Sequence, residues 1–515
     1  MKSGVNEMFF SKKKIDERTA HHEYAVSSNY GRAITSIKSA KNELYHEPIN
    51  FNPLELVSND KYFLGLDHFT NELLYNSEPI HTQIVAPTRA GKGVFIGLKV
   101  VEALKEQKGL IIVDPKEDDF LVQVILEELE RQNRADDLQI VNWPNDFGYT
   151  VFSDLDTVEE ATKKLVVMLD LIEKENEAGT SFYRKSERIL LSKIMYIFFN
   201  ASGLLNITID RTLSDLSIFI KYIMRDIYTA YEFEEEKEKS KPNFDKLDRL
   251  SKRYFNPKLF SQLGLRYSQL STLESLQFSI SEFENVSIYN NFEISDALTS
   301  AKVLYIKSDM LDETALKFLK LVIVDIIQQS KKLKNDTNCL VVLDELSFYP
   351  TQILSAGLAT AAGFGIKFIL SYQSEAQMKD EKLRTAIKDN CQTKIYYKSS
   401  DDRTLKYVEL LSGLELVSQI TKKGNEATIK QMQEPHMNIT RLRALPRSRV
   451  AILIEENLNE VKIFQTAPVP VRHKFDWTEI NENKVHVEKL EIKKEFEVAK
   501  LDEDLSSDNK KELVL

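Results

Sequence analysis

The stretch from Gln83 to Val94, QIVAPTRAGKGV, sets the tightest limit on what this chain can fold into. Gln83-Ile84-Val85 is an apolar strand that breaks into a loop of small residues, ends in Gly91-Lys92-Gly93 and runs into the apolar-periodic stretch Val94–Leu104. That layout aims backbone N–H groups and a helix N-terminus at an anion, while one lysine neutralises the β- and γ-phosphates of a nucleotide. The candidate nucleotide-binding residues are therefore Ala86, Pro87, Thr88, Arg89, Ala90, Gly91, Lys92, Gly93 and Val94. Ala86 stands where the usual pattern has its first glycine, and Gly93 where a Ser/Thr hydroxyl would reach Mg2+. Taken alone, the segment reads equally well as a plain strand–turn–helix.

Two further strings bear on that choice. Cys339-Leu340-Val341-Val342-Leu343 is a continuous apolar run, as expected of a parallel strand buried on both faces, and it ends in Asp344-Glu345. A carboxylate at such a strand tip can hold the water shell of Mg2+, and a second beside it can polarise an attacking water. A third strand, Ile366–Tyr372, delivers Gln373, an amide able to sense or position a γ-phosphate. Singly, Asp344-Glu345 is a solvated strand end and Gln373 a surface amide. Together and in this order they favour a nucleoside triphosphatase with Lys92, Glu345 and Gln373 as its catalytic candidates, Asp344 as its metal residue, and ATP with Mg2+ as ligands.

Bulk properties narrow the field further. At 515 residues and 42% hydrophobic content, the chain can form two to three domains with substantial cores. The two cysteines, Cys339 and Cys391, lie in or near predicted strands without metal-ligand spacing and read as buried thiols of a reducing compartment. A net charge of −10 argues against a uniformly basic nucleic-acid binder, though not against a local basic groove. The most apolar window, Ile189–Leu205, is interrupted by Ser192, Lys193, Asn200 and Ser202. A bilayer-crossing helix needs about 20 nearly uninterrupted apolar residues, so this window is expected to be a core helix.

Along the chain, alternating strands and helices with a phosphate loop after a strand indicate a mostly parallel, doubly wound α/β sheet. Residues 1–50 form a polar arm, and 51–154 the first part of the nucleotide-binding domain, with strands at Leu110–Val113 and Leu138–Val141. Residues 155–290, rich in Leu, Ile, Lys and Glu at helical spacing, read as an inserted all-α domain. Residues 291–470 resume the sheet with the acidic strand end and Gln373, and close on a hairpin of Val450–Ile454 and Val461–Phe464. Residues 471–515 form a charged tail.

The strings Ala86–Val94, Asp114-Pro115-Lys116, Val342–Glu345, Ala361–Ile366 before Gln373, and Asn390–Tyr396 resemble those of the TraG/TraD-like coupling proteins of type IV secretion. The resemblance covers residues 80–460, and Gly93 in place of Ser/Thr is itself a habit of that family. More distantly, the core is similar to the FtsK/HerA group of DNA-pumping ATPases. The resemblance implies a RecA-like P-loop core with an all-helical insertion, a homo-hexamer, and ATP-driven recruitment and transfer of DNA with its relaxase. It gives Lys92 the β/γ-phosphates, Asp344 the Mg2+, Glu345 the role of general base and Gln373 that of γ-phosphate sensor. Asp114 and Lys116 match a family string without a role, a cap on the following helix being the simplest reading.

Two departures stand out. Family members often begin with a membrane-spanning segment, and none is visible, which implies a cytoplasmic protein, either wholly cytosolic or peripheral at the inner membrane face through a separate membrane partner. Relatives also often carry an arginine where Ala362 stands; Arg384 and Arg403 are candidate replacements on position alone, each reading more simply as an ordinary surface arginine. The expected function is a soluble coupling ATPase of conjugation, with DNA, relaxase or relaxosome proteins and other secretion subunits as partners. The alternatives are a nucleotide-gated adaptor with weak or no hydrolysis, or a HerA-like DNA translocase outside secretion.

Overall fold

The computed structural model describes residues 45–472, except 58–60, 77, 117–118, 145–146, 173–177, 202–210, 232–268, 284–287, 290, 424–425 and 456–459. Most of the expected N-terminal arm and charged tail, and the loop Glu232–Lys241, thus lie outside the described residues. A hairpin of β1 (Tyr62–Asp67) and β2 (Leu73–Asn76) precedes β3 (His81–Val85), which feeds helix α1 (Lys92–Lys105). Next come β4 (Gly109–Asp114), α2 (Phe120–Arg131) and β5 (Leu138–Asn142). Among the described residues, four helices lie between the two-residue strands β6 (Phe147–Gly148) and β7 (Ile288–Tyr289): α3 (Val158–Met168), α4 (Ala178–Phe199), α5 (Leu213–Tyr231) and α6 (Leu270–Ser281).

The sheet resumes after α7 (Ile294–Thr299) with β8 (Val303–Lys307), α8 (Glu313–Leu333) and β9 (Cys339–Leu343). Then follow α9 (Gln352–Ala361), β10 (Ile366–Tyr372), α10 (Glu381–Asn390) and β11 (Thr393–Tyr397). The last elements are α11 (Asp402–Leu411), the hairpin β12 (Leu414–Lys423) and β13 (Glu426–Pro435), α12 (Ile439–Ala444), β14 (Val450–Glu455) and β15 (Glu460–Gln465).

Eleven strands form one sheet in the order β2-β1-β15-β14-β11-β3-β10-β9-β4-β8-β5. From β11 to β5 every pairing is parallel, and from β11 through β14, β15 and β1 to β2 every pairing is antiparallel. The parallel strands β3, β4, β9 and β11 are buried at every position, which is why β9 appears in the sequence as an unbroken apolar run.

The strand order also sorts the helices. Passing from β3 to β4 to β5 moves one way across the sheet, while β8 to β9 to β10 to β11 moves back. Right-handed crossovers therefore put α1 and α2 on one face and α8, α9 and α10 on the other. The contacts agree: α1 packs on α2, while α8 packs on α9 and α9 on α10. Asp312 starts α8 by accepting the backbone N–H of Thr314 at 2.8 Å and of Ala315 at 3.2 Å.

The helical stretch shares one continuous apolar core with the sheet. It is also held by a buried ionic cluster, in which Lys164 on α3 reaches Asp156 at 2.6 Å and Asp325 on α8 at 2.8 Å. Tyr149 completes the cluster by donating its hydroxyl to Asp325 at 2.8 Å. No helix among the described residues is long and apolar enough to cross a membrane.

Candidate functional site

The sheet register brings the acidic strand end and its neighbours together. Leu370 of β10 and Val113 of β4 both lie opposite Leu343, so Ser371 and Asp114 flank Asp344 one residue further on. Asp344 donates its backbone N–H to Val113 O at 3.0 Å and accepts the Ser371 hydroxyl at Oδ1. The Tyr349 hydroxyl in turn donates to the Asp344 carbonyl. Strand β3, which carries the phosphate loop, is separated from β9 only by β10. All these strands end at the same carboxyl edge, where open α/β sheets bind ligands.

The loop itself is shaped from both ends. The Ala86 N–H continues the ladder to Tyr372 O at 3.0 Å, and the Ala90 N–H bonds Pro87 O at 3.2 Å, so of these two candidate residues neither amide faces an anion. Pro87 has no amide hydrogen. The N–H groups of Lys92, Gly93 and Val94 open α1, where a helix has no internal acceptor to offer. Gly91 is required by geometry: its φ is 107°, and an added Cβ would fall 2.9 Å from the Arg449 backbone nitrogen. At Gly93 the same atom would meet nothing within 4 Å, so space for a side chain exists there.

Lys92, buried at the head of α1, spans the gap between the two halves of the site. Its Nζ is 2.6 Å from Asp344 Oδ1 and 2.7 Å from Glu345 Oε1. Residues 253 positions apart in the chain therefore meet in a buried ion pair. Glu345 sits in the left-handed region at φ 49°, uncommon for a side chain with a Cβ and costing on the order of 1–3 kcal/mol. Its Oε2 is buried and, among the described residues, has no hydrogen-bond partner.

A second lysine, whose role the sequence did not reveal, completes the cluster. Lys116 Nζ lies 3.0 Å from Asp344 Oδ2 and 2.5 Å from Glu345 Oε1. Asp119, not Asp114, stands at the N-cap position of the next helix. Asp114 Oδ1 accepts the Lys116 backbone N–H at 3.2 Å and its Oδ2 the Tyr305 hydroxyl at 2.9 Å. Burial by itself would raise the Asp344 pKa, but the Lys92 and Lys116 ammoniums outweigh it and hold the carboxyl at about 2. Burial likewise opposes the charge on Lys116, and the facing Asp344 and Glu345 carboxylates more than offset it, raising its pKa well above the usual range.

Other candidates are placed less centrally. Gln373 follows directly on β10, beside the start of the phosphate loop, with its Oε1 accepting from Gln377 at 3.3 Å. Arg384 is not the surface residue its position suggested: it is buried, donating to Met378 O at 3.0 Å and Glu381 at 2.7 Å within its own α10 region. Arg403 is half-exposed, 3.7 Å from Glu381. Arg449 went unread in the sequence. Its backbone N–H bonds Ala90 O at 2.8 Å, and its guanidinium is tied to Asn50 and Pro48.

A loop before a helix N-terminus, its lysine facing an acidic strand end across one intervening strand, defines the RecA-like P-loop class of nucleotide-binding α/β proteins. Residues 34–463 match the family model described as type IV secretory system conjugative DNA transfer, and the chain belongs to that family. The structure of the bacterial conjugative coupling protein TrwB in an unbound form superposes with a TM-score of 0.54 at 16% identity, over 76% of this chain and 86% of that one. TrwB in complex with ADP and Mg2+ gives 0.52 at 14% identity, over 77% and 87%. Its complex with the ATP analogue ADPNP gives 0.52 at 16%, over 76% and 86%. At these identities the likeness is one of fold. The comparison with curated proteins gives no match.

Proposed function

We propose that this protein is a coupling ATPase of conjugative type IV secretion, binding ATP with Mg2+ at the carboxyl edge of the sheet and hydrolysing it to move DNA with its attached relaxase. One observation carries the reading: the Lys92 ammonium lies 2.6 and 2.7 Å from the two carboxylates at the tip of β9. Those distances mean that the loop and the acidic strand end bound a single small volume. The ADP–Mg2+ complex of TrwB supports the choice of ligand.

The residues fit such a ligand. Lys92 and the first N–H groups of α1 would hold the phosphates, with Gly91 giving the backbone close approach. Asp344, ionised and steadied by Ser371, would hold Mg2+ through water. With no hydroxyl at Gly93, more of the metal's shell falls to phosphate and water, a coordination Mg2+ accepts readily. When bound, the ion neutralises charge on the β- and γ-oxygens. Glu345, with its unpartnered Oε2, would act as general base, and Gln373 would orient the water or γ-phosphate.

Around this core we infer the division of the chain given above, with residues 155–290 as a helical insertion and a homo-hexamer as the working form. DNA, relaxosome proteins and other secretion subunits would be its partners, a separate membrane protein among them, with the chain at the cytosolic face. ATP hydrolysis with and without single- and double-stranded DNA tests the proposal. Lys92→Ala and Glu345→Gln should abolish turnover, and variants that hydrolyse like the parent would remove the idea. A nucleotide-gated adaptor is favoured instead by Ala362 together with the local engagement of Arg384, whose guanidinium is tied to Met378 and Glu381. Background turnover with intact nucleotide binding would select that reading.

A further inference from the structure

The string Asp114-Pro115-Lys116 has no part in the reading above, yet Lys116 meets both carboxylates that do. It reaches Glu345 through Oε1 at 2.5 Å and Asp344 through Oδ2 at 3.0 Å. Lys92 reaches Glu345 through that same Oε1, and Asp344 through the opposite oxygen, Oδ1. Two ammoniums thus balance two carboxylates and converge on one oxygen of Glu345. The other oxygen, Oε2, is buried and has no partner among the described residues.

We propose that Lys116 is a positioning residue for Glu345, an inference resting on the nucleotide-site reading. When Lys92 turns to the phosphates, Lys116 keeps Oε1 pinned and leaves Oε2 as the atom that takes the proton of water. The step balances: the water O–H proton passes to Oε2, the water oxygen bonds to the γ-phosphorus, and the bond to the bridging oxygen breaks, its electron pair leaving on ADP. Lys116 is itself built into place. Asp114 holds its backbone N–H, Tyr305 fixes Asp114, and the β4–β9 register sets Asp114 beside Asp344.

The test uses the full chain with Lys116→Met, Lys116→Arg and Lys92→Met. Lys116→Met should bind a fluorescent Mg–ATP analogue within about threefold of the parent while losing turnover on the order of 10²-fold. Lys116→Arg should recover most of that loss, whereas Lys92→Met should lose the nucleotide. A parent protein that binds no nucleotide would mark failure of the underlying reading instead. A second measurement needs no turnover: Mn2+ binding to nucleotide-free protein, followed by electron paramagnetic resonance. Removing one ammonium leaves the acidic pair with net negative charge, so Lys116→Met should bind Mn2+ on the order of tenfold more tightly and Lys116→Arg should not. Parent-like turnover or parent-like Mn2+ binding in Lys116→Met overturns the proposal. A loss of nucleotide equal to that of Lys92→Met does so too, since it would make Lys116 a phosphate ligand.

Discussion

The ion pair between Lys92 and Glu345 can be weighed without any ligand, by a double-mutant cycle of Lys92→Met and Glu345→Gln. Both side chains are almost fully buried, at 8% and 1% exposure, and their charged atoms are 2.7 Å apart. Coulomb attraction at that distance is roughly 6 kcal/mol at an effective dielectric of about 20, and desolvation cancels much of it. Breaking a buried pair from one side typically costs about 3–5 kcal/mol, because an unpaired charge is left behind. Here Lys116 remains to share the load, so each single substitution should cost about 2–3 kcal/mol in urea unfolding. The double variant restores neutrality with Asp344 and Lys116 still facing each other, so it should cost less than the sum, with a coupling of about 2 kcal/mol. Effects that add to within about 0.5 kcal/mol would refute the contact as an energetic unit.

Three further outcomes follow from the same geometry. Gly93→Ser, placed in open space, should leave stability within about 0.5 kcal/mol and strengthen Mg2+-dependent nucleotide binding; a folding defect would contradict the open space at that position. Gly91→Ala should destabilise by about 2–4 kcal/mol and weaken nucleotide binding, from a positive φ plus a backbone clash with Arg449; an unchanged melting temperature would sink that claim. Asp344 has a depressed folded pKa, so its contribution to stability is present above the unfolded value near 3.9 and is lost as pH falls towards about 2. Acid titration of unfolding should show that loss in the parent and not in Asp344→Asn, and identical acid profiles would count against it.

The parts of this molecule legible in sequence are those fixed by local physics. Cys339–Leu343 is a continuous apolar run because a parallel strand is covered on both faces, and it, Ile366–Tyr372 and Thr393–Tyr397 form strands with those bounds. The helix Glu313–Leu333 was legible with the same bounds, while its Asp312 cap emerges only in the structure. The β12–β13 hairpin was not: its polar, lysine- and glutamine-bearing strands lack an apolar run, and each finds its only described sheet partner in the other. Nor could Lys116 be read as a site residue, since Asp344 lies 228 positions away and meets it only through the β4–β9 register. Ser371 escaped for the same reason, looking in sequence like one more strand residue. Arg384 was misjudged because an arginine on a predicted helix gives no sign that its neighbours' carbonyls will bury it.

An experimental structure with Mg2+ and a non-hydrolysable ATP analogue asks the decisive question. The Lys92 amine should swing from the β9 carboxylates onto the β- and γ-phosphates, with the metal beside Asp344. A triphosphate bound elsewhere, with Lys92 still locked between Asp344 and Glu345, would contradict the account.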